Sequence, residues 1–127
     1  ILVLIQTKYE SEPASLAISY NNLGEAYSAR GEYDTAIKYH QYALEIRKQV
    51  YVSNPSHPAI AMSYSNLGTA YYEKGKHDIA FKCYQHALEI RRQVYASTPN
   101  HPDIAASYNN LGAVYRPTGE HDAAIKY

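Results

Sequence analysis

Cys83 and His86 stand three residues apart, a spacing that places a thiol and an imidazole on one face of a helix and could begin a zinc site. A zinc centre needs at least one more protein ligand, and no second pair lies nearby in the sequence. Four of the other five histidines recur in step, His57 with His101 and His77 with His121, which points to packing and helix ends rather than to a metal. Arg47-Lys48 and Arg91-Arg92 recur at the same interval. They could form a basic ladder for an acidic partner or a phosphate. The competing reading is a pair of cations at a helix C-terminus, where the backbone carbonyls favour them, with Glu45 and Glu89 in pairing range. The sequence holds no Gly-rich phosphate loop, no Gly-x-Ser-x-Gly and no carboxylate pair set beside a histidine in a recognisable arrangement. No catalytic residue, cofactor or metal is expected.

The interval shared by these residues is 44 positions. Asn22-Leu23-Gly24 returns as Asn66-Leu67-Gly68 and as Asn110-Leu111-Gly112. Residues 13–56 align with 57–100 without a gap and agree at 23 of 44 positions; residues 57–83 agree with 101–127 at 15 of 27. A period of this length is the mark of a repeat array. Residues 13–56, 57–100 and 101–127 are therefore expected to be a first, a second and a truncated third repeat.

The middle copy shows what one repeat must fold into. His57-Pro58 opens it, and proline suits the first turn of a helix, where its missing N–H costs nothing. Ile60, Tyr64, Leu67, Gly68 and Tyr71 then follow at the three-to-four spacing of one helix face, predicting helix A over roughly 59–73. Gly75 between Lys74 and Lys76 reads as a tight turn. His77-Asp78 begins helix B, with Asp78 either its cap or a first-turn acid, as Asp34 and Asp122 would be in the other copies. The apolar side of helix B carries Ala80, Cys83, Tyr84, Ala87 and Leu88, and the helix extends to about residue 96. Ser97-Thr98-Pro99-Asn100 breaks the chain before the next His-Pro. No segment alternates with period two, so no β-structure is expected. A single hairpin cannot bury its apolar face, and the copies must stack, with Tyr64 and Tyr71 between neighbouring hairpins.

Composition narrows the function. Twelve Lys and Arg balance twelve Asp and Glu, so the basic stripe of a nucleic-acid binder is missing. Ile1–Ile5 is apolar but far too short to span a bilayer, and neither nucleic acid nor a membrane is expected as partner. The aromatic set is 15 Tyr against one Phe and no Trp, giving a core whose rings carry hydroxyls in need of partners. One cysteine allows no internal disulfide, which fits a cytoplasmic compartment.

Tyr20, Leu23, Gly24, Tyr27, Gly31, Ala36 and Ala43, with their counterparts Tyr64, Leu67, Gly68, Tyr71, Gly75, Ala80, Tyr84 and Ala87, resemble the signature of the tetratricopeptide repeat. Tyr108, Leu111, Gly112, Tyr115, Gly119 and Ala124 continue it in the third copy, so the resemblance covers residues 13–127. Helix B runs on through Leu88-Glu89-Ile90-Arg91-Arg92-Gln93-Val94-Tyr95, beyond an ordinary repeat of about 34 residues. That length and the His-Pro are similar to the longer repeats of kinesin light chains and nephrocystin-type proteins. His40 departs from the pattern by standing where an aromatic is usual, and Pro117 should end its helix A early. The resemblance implies an all-α solenoid, a right-handed superhelix of antiparallel hairpins, acting as a protein–protein interaction scaffold.

In such a solenoid the concave face is lined by helix A, and an extended peptide or a helix would lie there. The residues of helix A left over from packing include Asn21, Asn22 and Glu25, then Ser65, Asn66, Thr69 and Tyr72, then Asn109, Asn110 and Arg116. Amide side chains offer both a donor and an acceptor and could bracket a peptide backbone. The resemblance implies that role for Asn22, Asn66 and Asn110; alternatively the amides tie one helix A to the next. A clamp of basic residues for a C-terminal carboxylate is not visible, because Asn21, Ser65 and Asn109 occupy the positions that would carry it. Residues 1–12 are expected to be the tail of a preceding helix B and a loop, since Leu4-Ile5-Gln6-Thr7-Lys8-Tyr9 is similar to the end of helix B. Uncapped apolar ends would then permit self-association by end-to-end stacking.

Overall fold

A computed structural model describes residues 2–115, with side-chain detail from residue 12 to residue 114. They form five helices and no strand: α1 (Leu2–Ala29), α2 (Tyr33–Val50), α3 (Pro58–Lys74), α4 (His77–Val94) and α5 (Pro102–Tyr115). Helix α1 packs on α2 and α3 on α4, two hairpins that fall on the stretches read from the sequence as the first and second repeats, and α5 falls at the start of the stretch read as the third. Each helix B also packs on the helix A that follows it, α2 on α3 and α4 on α5, and α1 touches α3. The result is an all-α helical repeat solenoid.

Local chemistry sets the helix ends. Gly75 lies at φ +90, where a residue with a Cβ is strained, and its N–H bonds back to Tyr71 and Tyr72. The N–H of Lys76 reaches Tyr71 O at 2.9 Å, closing the helix with a Schellman-type pair of bonds. Gly31 repeats the conformation between α1 and α2. At the start of α3, Pro58 follows an extended His57 whose Nδ1 accepts the Ala59 N–H at 3.0 Å. His101 does the same for Asp103 at 3.1 Å. The recurring His-Pro is thus a capping device. Asp34 and Asp78 lie in the first turns of their helices, and neither α2 nor α4 has a side-chain cap.

Two apolar clusters follow the repeat. Ile37, Leu44, Ile60, Leu67 and Cys83 join the first repeat to the second, and Tyr84, Leu88, Ile104, Leu111 and Val114 join the second to the third. Tyr71 packs against both, as expected of a ring between hairpins. Gly24 is needed for a close approach: a Cβ there would sit 2.7 Å from the ring of His40. Gly68 meets the ring of Tyr84 in the same way at 2.9 Å.

Two features of the termini differ from, or extend past, what the sequence led one to expect. A loop was expected before the first repeat, but α1 runs unbroken through Pro13. The truncated helix B of the third repeat and the break expected at Pro117 lie outside the described residues. Among the described residues no helix is long and apolar enough to cross a membrane.

Candidate functional site

The expected groove residues divide into three groups. Asn22, Glu25, Thr69 and Asn109 are exposed; Ser65, Asn66, Tyr72 and Asn110 are half-buried; Asn21 is 7% exposed. Arg116 lies outside the described residues.

Asn21 turns inward and ties three helices together. Its Oδ1 accepts from Asn66 Nδ2 at 2.8 Å and from His40 Nδ1 at 2.9 Å. A carbonyl oxygen can accept both. Because Asn21 Oδ1 only accepts, His40 must carry its proton on Nδ1, which leaves Nε2 as an acceptor when the ring is neutral. Burial, aided by the positive charge of Arg47, lowers the His40 pKa to about 4, so the ring is neutral at pH 7. For Asn21 and Asn66 the tie between successive A helices is therefore realised. The second junction lacks it, because Ser65 stands where Asn21 stands and its Oγ is buried without a partner.

Between α1 and α3 a cleft of about 320 Å³ opens, lined by Glu25 and Ser28 of α1, Asn66, Thr69 and Glu73 of α3, and His40 of α2. The two carboxylates come from successive A helices. The Thr69 hydroxyl donates to Ser65 O at 3.0 Å, so the Tyr84 hydroxyl, 2.9 Å away, is the donor to Thr69. His40 is the repeat equivalent of Tyr84 but is shorter and has no hydroxyl. The sequence signalled this position as a departure from the aromatic, without showing that it faces a cleft.

The basic ladder resolves into two different roles. Arg47 and Arg91 are buried, whereas Lys48 and Arg92 are exposed. Arg47 Nη1 donates to Ser63 Oγ at 2.8 Å and to Ala59 O at 3.3 Å. Arg91 Nη1 makes the same pair to Ser107 Oγ and Asp103 O, at 2.8 and 3.3 Å. Burial lowers both guanidinium pKa values from the ordinary range. Each arginine lies in the last turn of its helix, where the free carbonyl ends favour a cation. Beside each clasp a tyrosine stacks on the capping histidine, Tyr51 on His57 and Tyr95 on His101, with ring centroids 3.6 Å apart. The extension of helix B and the His-Pro are thus two halves of one joint. Ser63 and Ser107 were missed; their signal was a serine recurring on an apolar helix face.

Cys83 and His86 are used in different packing contacts. Cys83 is buried in the first cluster while the His86 ring stacks on Tyr64 at 4.9 Å. Among the described residues no group of three or more His, Cys, Asp or Glu could hold a metal ion.

An array of such hairpins, joined B-to-A and presenting its A helices along one side, defines a helical-repeat interaction scaffold. Tetratricopeptide repeat sequence profiles match residues 15–93 and 104–127, and the chain belongs to that family. Its fold is similar to the crystal structure of BtubC (BKLC) from P. vanneervenii, with TM-score 0.77 and 28% identity over 87% of this chain and 42% of that one. It is also similar to a kinesin light chain-like protein of Podosopora anserina with nearly identical TPR-like repeats, with TM-score 0.75 and 23% identity, over 90% of this chain and 52% of that one. The chain thus spans about half the length of these structural relatives. No curated protein matches it in sequence. Tetratricopeptide repeats generally mediate protein–protein interaction or scaffolding, and the fold of this chain resembles kinesin light chain-like repeats.

Proposed function

We propose that this chain holds an extended peptide of a partner protein against the side formed by α1, α3 and α5. The observation that carries this reading is the open cleft between α1 and α3, beside polar side chains that the packing does not use. Asn22, Glu25, Thr69 and Asn109 are exposed on the A helices, and Tyr72 and Asn110 are half-exposed, whereas the Ser65 hydroxyl is buried. A peptide backbone has one donor and one acceptor per residue, which amides and hydroxyls at this density can meet. Asn21 and Asn66, bonded to each other, contribute by holding the A helices at fixed spacing. The test is selection of peptides from a randomised library displayed on phage. A selected peptide should lose about tenfold or more in affinity to the Asn22→Ala/Asn109→Ala variant, because buried polar groups of the peptide would lose their partners. Because both residues are exposed, the variant should keep its thermal midpoint. A library that yields no binder, or binders indifferent to both substitutions, counts against the groove.

A specific observation favours a second reading, self-association. Leu16 and Leu23 are 47% and 42% exposed, while their repeat equivalents Ile60 and Leu67 are 3% and 5% exposed beneath the preceding helix B. In a second copy of the chain, an apolar helix face could cover them. Sedimentation velocity over a wide concentration range decides this. A mass that climbs with concentration in the parent and stays fixed in Leu23→Glu supports stacking; a constant monomer in both removes it.

A further inference from the structure

The cleft between α1 and α3 is lined by carboxylates. Glu25 and Glu73 both line it, and neither makes an ion pair among the described residues. The cations nearest them in sequence are engaged elsewhere: Arg30 pairs with Glu32 at 3.2 Å, and Lys74 pairs with Asp34. The repeat does not generate this arrangement. Where the first copy has Glu25 the second has Thr69, and where the second has Glu73 the first has Ala29. The two carboxylates therefore line one cleft only because the copies have diverged.

His40 is a second, independent observation. It is 2% exposed, it lines the cleft, and its Nδ1 proton is committed to Asn21. Its Nε2 lone pair has no partner among the described residues. Its repeat equivalent Tyr84 donates its hydroxyl to Thr69, whereas His40 brings an unused acceptor to the cleft. Two carboxylates and an imidazole lone pair are acceptors only, and what satisfies such a set is a cation rich in N–H donors.

We propose that this cleft is a specificity pocket for a lysine or arginine side chain of the bound peptide, held between Glu25 and Glu73 with His40 Nε2 as a further acceptor. The inference rests on the groove reading above and adds to it the chemistry of one peptide position. The guanidinium suits the pocket better than the ammonium, since its planar fork carries five N–H donors that can serve more than one acceptor at once.

The experiment uses the same displayed library against the whole chain and two variants, Glu25→Gln/Glu73→Gln and Glu25→Lys/Glu73→Lys. Peptides selected on the parent should share a Lys or Arg at one position, and replacing it by citrulline or norleucine should weaken binding about tenfold or more. The Gln variant should lose the same factor for the basic peptide and nothing for its neutral analogue. The Lys variant should select acidic residues at that position instead. All the substituted positions are exposed, and far-UV circular dichroism should be unchanged. Peptides that bind and are sensitive to Asn22→Ala/Asn109→Ala, yet show no basic position and ignore both glutamate variants, overturn the pocket and leave the groove. A library without binders removes both.

Discussion

Arg47 of one repeat donates to Ser63 of the next at 2.8 Å, and Arg91 donates to Ser107 in the same geometry. The chain therefore places a buried cation on a neutral hydroxyl and a helix-end carbonyl at every described B-to-A junction. Among the described residues no carboxylate is bonded to either arginine. A buried charge tolerates this because the carbonyl ends of its own helix supply partial negative charge. Truncation of the arginine opens a cavity and leaves the buried Ser63 hydroxyl without its partner, so Arg47→Ala should cost about 3 kcal/mol. Ser63→Ala removes one partner and should cost about 1–2 kcal/mol, and the double variant should cost less than the sum. Urea denaturation of the four proteins checks the cycle; additive losses would mean that the bond contributes nothing.

Gly24 and Gly75 are both glycines in recurring positions, but they should fail for different reasons. A methyl at Gly24 would meet the His40 ring at 2.7 Å, and helix A must then move away from helix B, at a cost of about 1–3 kcal/mol. Gly75→Ala meets no atom within 4 Å, and only its φ of +90 is penalised, by about 1 kcal/mol. Adding His40→Ala should recover most of the loss at Gly24 and none at Gly75. Thermal midpoints of the single and paired variants measure this.

The hairpins were legible in the sequence because their signals are local: the three-to-four spacing of Ile60, Tyr64, Leu67 and Tyr71, the glycine at each turn, and Pro58 at the first helical position. The site was legible only in part. Asn21 and Asn22 are neighbours of one residue type, yet one is buried and the other exposed. What separates them is the position of α3, which carries Asn66, and no local pattern encodes that. Arg47 and Lys48 differ for the same reason, as neighbouring cations of which only one lies over the next helix A. His40 was visible as an interruption of the repeat, and its meaning needed the neighbouring A helices on either side of the cleft.

Cys83 should report on opening of the junction between repeats. It is 8% exposed in the first cluster, and burial pushes its thiol up to about 11 from 9.0. At pH 8 the thiolate fraction is then about a hundredfold below that of a free thiol, apart from any loss of access. A disulfide reagent should label the native chain at least that much more slowly than the chain in denaturant. The rate should rise with urea, and Arg47→Ala should speed it in native buffer. Labelling of the native chain at the unfolded rate would place the thiol on the surface.

His40 makes the fold sensitive to mild acid. Its pKa is lowered from 6.5 to about 4 in the folded chain, chiefly by burial and secondarily by the charge of Arg47. Between those values the unfolded chain binds the proton and the folded chain does not, so stability falls as pH drops from 6.5 toward 4. Above 6.5 neither state is protonated and below 4 both are, so His40 contributes no slope in either range. His57 adds a smaller slope of the same sign, because burial and then Arg47 lower its pKa as well. Of the groups packed around His40, Arg47 carries fixed positive charge, Asn21 is neutral, and Glu25 and Glu73 lie across the cleft. Urea midpoints measured from pH 7.5 to 4 should therefore decline with a slope approaching one proton near pH 5. His40→Gln keeps a side chain able to donate to Asn21 and removes the titration, so its profile should be flatter over the same interval. Parallel profiles for the two proteins would mean that His40 is protonated as readily in the fold as in the open chain, and the neutral ring in the cleft would have to be abandoned.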